Sequence, residues 1–200
     1  TPISIKQAYS GRMPKAKESV EKEWTKLKTK GTWLYNSVRE KRDVARDAIR
    51  DNKNVHFGSL MDLCHEKHSE LPEHLRAYKG RVVFRGDQVK DESGFHAVFS
   101  EQGTSASHIA AAKFIDAISR FPGNAGQNAD ASSAYTQVTL KDLTKDIGLS
   151  DNSLVTETWI SLPKSQWLPE WHGKYDNPVC KLVRNLYGHP LAGLYWEKYC

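Results

Sequence analysis

The chain has 200 residues, of which 38% are hydrophobic and 10% aromatic, enough for the core of one mid-sized or two small domains. This composition excludes a disordered chain, and no apolar run approaches the roughly 18 residues of a membrane span, so no membrane partner is expected. Three scattered cysteines do not form a disulfide framework. We therefore expect a soluble, intracellular protein with reduced thiols.

The net charge of +5 is distributed unevenly along the chain. Residues 1–90 carry 20 Lys and Arg against 12 Asp and Glu, a balance of +8, whereas residues 91–200 carry 9 against 12, a balance of −3. A basic half of this kind indicates a polyanionic partner such as nucleic acid. The alternative is that these side chains only solvate helix faces.

The first elements in chain order are a tether and two helices. Residues 1–14 show no periodicity and are predicted to be a tether. The apolar spacing over 15–30 predicts an amphipathic helix. Ser37 and Glu40 have the spacing of a capping box, which predicts a second, strongly charged helix over 38–51.

Two strands and a third helix follow. The β-rich composition predicts strands at 54–60 and 81–85, the second of which ends at a Gly-Asp turn. Apolar residues at helical spacing from Ile109 to Ile118 predict a helix, for which Ser105 or Ser107 is a candidate N-cap.

The second half of the chain is predicted to be richer in strands. A Gly- and Asn-rich bend leads to a short strand that ends near Asp130, and the polar residues 141–155 read as an exposed loop whose aspartates are surface charges. Further strands are predicted at 157–162 and 178–184, followed by a helix from about 190.

Asp130 and Tyr135 are the pair most suggestive of chemistry. A carboxylate at a strand end can bind Mg²⁺, and an aromatic ring close by can test the sugar of a nucleotide. The alternative is a solvated turn aspartate and an ordinary core tyrosine. The stretch from Cys64 to His74 contains one cysteine and three histidines. Their spacing matches no standard zinc motif, so no zinc site is expected there.

Four blocks carry a family resemblance. They are an opening helix that ends in Gly-Thr-Trp, a basic Tyr-Lys-Gly-Arg-Val-Val-Phe-Arg-Gly strand, an Ala-Asp-Ala-Ser-Ser-Ala-Tyr motif and a Leu-Tyr-Gly block that reaches Trp196. In this order they resemble the reverse transcriptase of copia-type (Ty1/copia) LTR retrotransposons. The blocks span Glu23–Trp33, Tyr78–Gly86, Ala129–Tyr135 and Leu186–Trp196, and Trp159–Pro163 is similar to a strand of the same family.

Two departures from the family pattern indicate a divergent branch. The stretch His189–Gly193 replaces the usual Leu-Lys-Gln-Ala-Pro, which removes its lysine and shifts its proline. Residues 54–76 do not follow the family's Trp-Val-Phe-Lys pattern.

The resemblance implies an α+β fold: reverse-transcriptase fingers over 15–125 with their opening helices, and a partial palm over 126–200. The palm part would be a ferredoxin-like half-sheet with packed helices, truncated at the C-terminus. It also implies an RNA-directed DNA polymerase, a nucleotidyltransferase in a retrotransposon polyprotein, that works by a two-Mg²⁺ mechanism with Mn²⁺ as a possible substitute. The location would be cytoplasmic or nuclear, within virus-like particles in active elements.

The resemblance assigns most of the nucleotide site to three blocks. Asp130 would be the catalytic metal ligand, the Ala131 carbonyl would bind the nucleotide's metal, and Tyr135 would lie under the ribose. Lys79, Arg81 and Arg85 would bind the triphosphate or the template, with the register left open. The alternative for this basic strand is an edge strand protected by its charge.

The last block would contact the nucleic acid. Tyr187 and Gly188 would lie against the template or primer, with the glycine allowing close backbone approach. The second carboxylate motif of the family, an Asp-Asp pair, is not found before Cys200. The chain is therefore expected to be an inactive fragment.

The expected partners are an RNA or DNA template with its primer, a dNTP and the rest of the polyprotein, namely the C-terminal palm, connection and RNase H. The alternative function is a non-catalytic, basic, nucleic-acid-binding remnant of a transposon.

Overall fold

One long strand organises the fold in the computed structural model, which describes residues 1–99, 109–127, 129–140 and 156–200. Strand β3, Val55–Lys67, pairs antiparallel along its second half with β4, Ala77–Phe84. Its first half runs parallel to β5, Glu157–Ser161. The predicted strands at 54–60, 81–85 and 157–162 are confirmed, and two of them are longer than expected at one end.

Three further strands complete a six-stranded mixed sheet. They are β1, Pro2–Ile3, β2, Trp33–Glu40, and β6, Pro178–Leu182. The strand order is β1-β3-β5-β6-β2, and β4 also pairs with β3. The predicted boundary between 125 and 126 therefore divides strands that share one sheet.

α-Helices accompany this sheet, which makes the fold α+β as expected. The described residues contain five α-helices: α1 Ile5–Ala8, α2 Pro14–Thr29, α3 Lys41–Arg50, α4 Ile109–Ser119 and α5 Ala192–Tyr199. None of the helices in this part of the chain is long and apolar enough to cross a membrane.

Helix α2 lies directly against β4. Its predicted apolar face of Val20, Trp24 and Leu27 is buried. The contact is close because Gly80 of β4 has no side chain: a Cβ there would lie 2.5 Å from the Ser19 carbonyl oxygen and from the Val20 backbone. The backbones of α2 and β4 are thus packed so closely that a larger residue at position 80 would force them apart.

The tether predicted over residues 1–14 is wrong. Residues 2–3 are β1, which pairs with β3, and α1 begins at a capping box in which Ser4 and Gln7 bond reciprocally. Ala8 is buried. Elements of two and four residues are too short to produce a periodic pattern, so the sequence gives no signal for them.

The predicted start of the second helix is also wrong. Ser37 lies within β2, where its hydroxyl donates to the Leu34 carbonyl and accepts from the Lys181 backbone N–H. Helix α3 begins only at Lys41. The Glu40 carboxylate, instead of completing a capping box, accepts from backbone N–H groups of the 176–177 turn.

The strand predicted to end near Asp130 is not present in the described residues 124–127 and 129–140. A loop leads instead to Ser133, which has a left-handed backbone (φ 55°), and to a short 3₁₀ helix, Ala134–Gln137. Two backbone hydrogen bonds join the end of this segment to the residues that follow β6. The Asn185 N–H donates to the Val138 carbonyl, and the Leu140 N–H donates to the Val183 carbonyl. The segment before Asp130 is rich in Gly and Asn, and both residue types are disfavoured in β-strands.

Three other predictions have clear outcomes. The helix over Ile109–Ile118 and the helix from about 190 are confirmed as α4 and α5, and the strand at 178–184 is confirmed as β6. The candidate caps Ser105 and Ser107 and the loop 141–155 lie outside the described residues.

Candidate functional site

A cavity of about 250 Å³ opens between α2, β4 and the segment that carries Asp130. It gathers five of the eight predicted site residues from three separate blocks of the sequence. These five are Lys79, Arg81, Asp130, Ala131 and Tyr187; the other lining residues are Glu23, Lys26, Leu27, Gly80, Val82, Ser133 and Thr136.

The ionic side chains of the cavity are predominantly positive. Lys26, Lys79 and Arg81 line it together with the carboxylates of Glu23 and Asp130. Lys26 lies 3.8 Å from the Glu23 carboxylate, whereas Lys79 and Arg81 form no ion pair with the described residues. Two unpaired cations on one wall suit a phosphate-bearing ligand, because ammonium and guanidinium groups bind phosphate oxygens through charge-assisted hydrogen bonds.

Strand alternation accounts for the position of two of the three predicted cations. Lys79 and Arg81 are exposed, while Gly80 between them and Val82 after them are buried. Arg85 follows the end of β4, and its guanidinium pairs with Asp87 at 3.2 Å, outside the cavity. Among the described strands β4 pairs with β3 alone, so it is an edge strand of this sheet, which fits the alternative of an edge protected by its charge.

Aromatic rings form a layered wall beside the basic residues. The Arg81 guanidinium lies 5.5 Å from the centre of the Tyr187 ring, which in turn lies 4.6 Å from the Tyr135 ring. The cation–π contact orients Arg81 toward the cavity edge. Tyr135 contacts Tyr187 but is not among the residues that line the cavity.

Gly188 holds Tyr187 against β4. Its φ is +87°, and a Cβ at this position would lie 2.1 Å from the Phe84 carbonyl oxygen. The Phe84 N–H donates to the Tyr187 carbonyl at 2.8 Å. The close backbone approach expected at this glycine is therefore made with β4 of the same chain.

Asp130 is exposed and forms no hydrogen bond or ion pair with the residues that the structure describes. Magnesium requires about six oxygen ligands, and no group of three or more Asp, Glu, His or Cys within the described ranges could hold a metal ion. One carboxylate and the neighbouring Ala131 carbonyl do not form a complete site. The metal prediction thus cannot be fulfilled by these residues alone.

The sequence did not predict the contact of Lys30 with Thr136, which lines the cavity. The Lys30 ammonium donates to the Thr136 hydroxyl at 2.8 Å, and that hydroxyl donates to the Ser133 carbonyl at 3.0 Å. The only local signal was the four-residue spacing of Lys26 and Lys30 on one helix face. Thr136 gave none, because 106 residues separate it from Lys30.

A larger cavity, about 780 Å³, lies between α3 and the strands β2, β5 and β6. It contains none of the predicted site residues. Its charged side chains largely neutralise one another, since Arg39 pairs with Asp47 and Lys181 pairs with Glu157. Volume alone therefore does not identify the candidate site.

Comparisons with known protein families, with curated proteins and with solved structures find no match to this chain. The geometry of the smaller cavity and the resemblance of the sequence blocks are thus the basis for a functional assignment.

Proposed function

We propose that the chain is the fingers and N-terminal palm part of a retrotransposon reverse transcriptase, with its partial palm around Asp130. In this proposal the 250 Å³ cavity receives the triphosphate of a dNTP at the primer end. The observation that carries the proposal is the convergence of Lys79, Arg81 and Asp130 on one small cavity from blocks about fifty residues apart in the sequence.

The side chains divide into binding and chemical roles. Lys79 and Arg81 bind phosphate oxygens, and Tyr187 supplies a flat face beside them. Asp130 and the Ala131 carbonyl are two ligands for Mg²⁺ or Mn²⁺, with the remaining ligands supplied by the rest of the polyprotein. When bound, the metal supplies charge neutralisation for nucleotidyl transfer.

Contacts between the blocks support the proposal. The Phe84 N–H of the basic-strand block donates to the Tyr187 carbonyl of the Leu-Tyr-Gly block at 2.8 Å. The ring of Tyr135, from the block that contains Asp130, lies 4.6 Å from the Tyr187 ring. Three of the four blocks that carry the resemblance are thus in contact in the fold.

The test measures dTTP binding and primer–template binding by the 200-residue chain. Lys79→Gln and Arg81→Gln should each weaken dTTP binding, because each removes one cation from the cavity wall. The matched control is Arg42→Gln, which removes an exposed cation from α3, outside the cavity. Equal effects of the control and the cavity variants would contradict the proposal.

The chain alone should bind primer–template in a salt-dependent manner and incorporate no nucleotide, since the described residues place only the carboxylates of Glu23 and Asp130 at the cavity. In a longer polyprotein, Asp130→Asn should abolish incorporation and leave nucleic-acid binding nearly intact. Template-dependent incorporation by the 200-residue chain would overturn this division of roles.

A non-catalytic, nucleic-acid-binding remnant is the second candidate. The excess of cations over carboxylates in the cavity favours it. The two candidates differ in their expected nucleotide binding. A remnant should bind dTTP no more tightly than inorganic tripolyphosphate, whereas the polymerase fragment should prefer dTTP.

A further inference from the structure

Two cations that lie outside the predicted site are held together beside the cavity. The Arg184 guanidinium donates through Nε to the Lys30 carbonyl at 2.9 Å and through Nη1 to the Thr136 and Gln137 carbonyls, each at 3.4 Å. The Lys30 ammonium donates to the hydroxyl of the same Thr136. A lysine and an arginine thus share one threonine.

Within the described residues, no carboxylate compensates this pair. Every hydrogen bond of Lys30 and Arg184 goes to a neutral oxygen, and neither side chain forms an ion pair there. Partial burial and the nearby charges of Arg184 and Lys26 lower the pKa of Lys30. Like charges held close together in a partly buried place are unfavourable unless an anion joins them.

The pair is continuous with the cavity. Thr136 lines the cavity wall, and Lys26 of α2, four residues before the C-terminal cap residue Lys30, lines it as well. Lys26, Lys30 and Arg184 therefore form a basic track that leads away from Lys79 and Arg81.

Both side chains keep hydrogen-bond donors for a ligand. An ammonium group has three N–H donors, and Lys30 uses one of them in the structure. Arg184 uses Nε and Nη1, which leaves Nη2. The tetrahedral oxygens of a phosphate group can accept from both residues at once.

We propose that Lys30 and Arg184, extended by Lys26, form a second phosphate-binding site next to the cavity. The site takes one phosphate group of a nucleic-acid backbone or of a nucleotide. The inference rests on the proposed function only for the source of that phosphate, because the geometry of the basic track is independent of Asp130 and of any polymerase chemistry.

The experiment compares variants of the 200-residue chain in two binding assays. Lys30→Gln removes the charge and keeps a donor for Thr136, Lys30→Arg keeps the charge, and Lys28→Gln removes an exposed charge from another face of the same helix. Fluorescence anisotropy gives the affinity for a labelled primer–template as a function of salt, and calorimetry gives the affinity for dTTP and tripolyphosphate. Thermal melting checks that each variant is folded.

For a backbone phosphate, Lys30→Gln should reduce the slope of log K against log salt by about 1, and Lys30→Arg should restore it. For a nucleotide phosphate, the same variant should instead weaken dTTP and tripolyphosphate binding. Lys28→Gln should change neither measurement. If Lys30→Gln behaves like Lys28→Gln in both assays, the second site is excluded.

The outcomes also separate this site from the proposed function. Loss of binding in Arg81→Gln but not in Lys30→Gln removes the second site and leaves the proposed function in place. Loss in Lys30→Gln but not in Arg81→Gln leaves a phosphate site on a protein that does not use the cavity for nucleotides.

Discussion

Replacing Gly188 by alanine should destabilise the protein more than the same change at another glycine with a positive φ. The backbone conformation alone costs an L-residue about 1–2 kcal/mol. The new Cβ would also collide with the Phe84 carbonyl oxygen, 2.1 Å away, and so break the 2.8 Å bond from the Phe84 N–H to the Tyr187 carbonyl. Losing that bond adds about 0.5–1.5 kcal/mol. We expect a total loss of about 1.5–3.5 kcal/mol in the free energy of unfolding.

Gly173→Ala is the matched control, because Gly173 has a φ of +78° but no atom within 4 Å of the added Cβ. It should cost only the conformational part, about 1–2 kcal/mol. Urea unfolding, followed by the fluorescence of the six tryptophans, measures both variants. Gly188→Ala should also weaken phosphate binding, since Tyr187 moves away from Arg81. Equal destabilisation by the two variants, with unchanged binding, would refute the idea that Gly188 fixes Tyr187 on β4.

Two further predictions concern ionisable groups removed from solvent, the buried His189 and the partly buried Asp62. Burial, together with the nearby His56, lowers the pKa of His189 to about 3 from its usual 6.5, so protonation favours the unfolded chain. The unfolding free energy should therefore fall as the pH drops below about 6.5, by at most about 1.4 kcal/mol per pH unit for this group. His189→Gln should make this decline shallower, whereas His74→Gln, which changes an exposed histidine, is the control and should not. Burial raises the pKa of Asp62, which accepts a bond from the Trp24 indole at 2.7 Å. Asp62→Asn keeps an oxygen acceptor for the indole but removes the charge. The melting temperature of this variant at pH 7 should therefore equal or exceed that of the original chain, and the gain should shrink as the pH falls. A lower melting temperature at pH 7 would contradict this reasoning.

Elements stabilised by their own side-chain pattern were predictable from the sequence. The apolar stripe of α2 and the alternation of β4 correctly placed Trp24 and Val82 in the core and Arg81 at the surface. Both patterns repeat over at least two periods, which is enough to distinguish a helix from a strand. Helix α4 shows the limit of this signal: its position was predicted, but none of its residues is buried among the described parts of the chain.

Elements defined by distant partners were not predictable. Ser37 and Glu40 satisfy the local rule for a helix cap, yet the hydroxyl accepts from Lys181, 144 residues away, and the carboxylate accepts from residues 136 and 137 positions away. The same holds at the site. The contacts of Lys30 with Thr136 and of Arg184 with Lys30 join positions 106 and 154 residues apart, which no local spacing can indicate.

The basic side of the cavity is fixed by close backbone packing, whereas the side that carries Asp130 is not. The basic side is built on close backbone packing, with Gly80 against α2 and Gly188 against β4. Asp130, on the other side, lies exposed on a loop and makes no hydrogen bond to the described residues. In the proposed function, phosphate binding uses only the basic side, whereas metal-dependent chemistry would need Asp130 fixed to within a fraction of an ångström by further ligands. Under this proposal phosphate binding should therefore survive Asp130→Asn, while nucleotidyl transfer would depend on further groups that hold Asp130 in a fixed position.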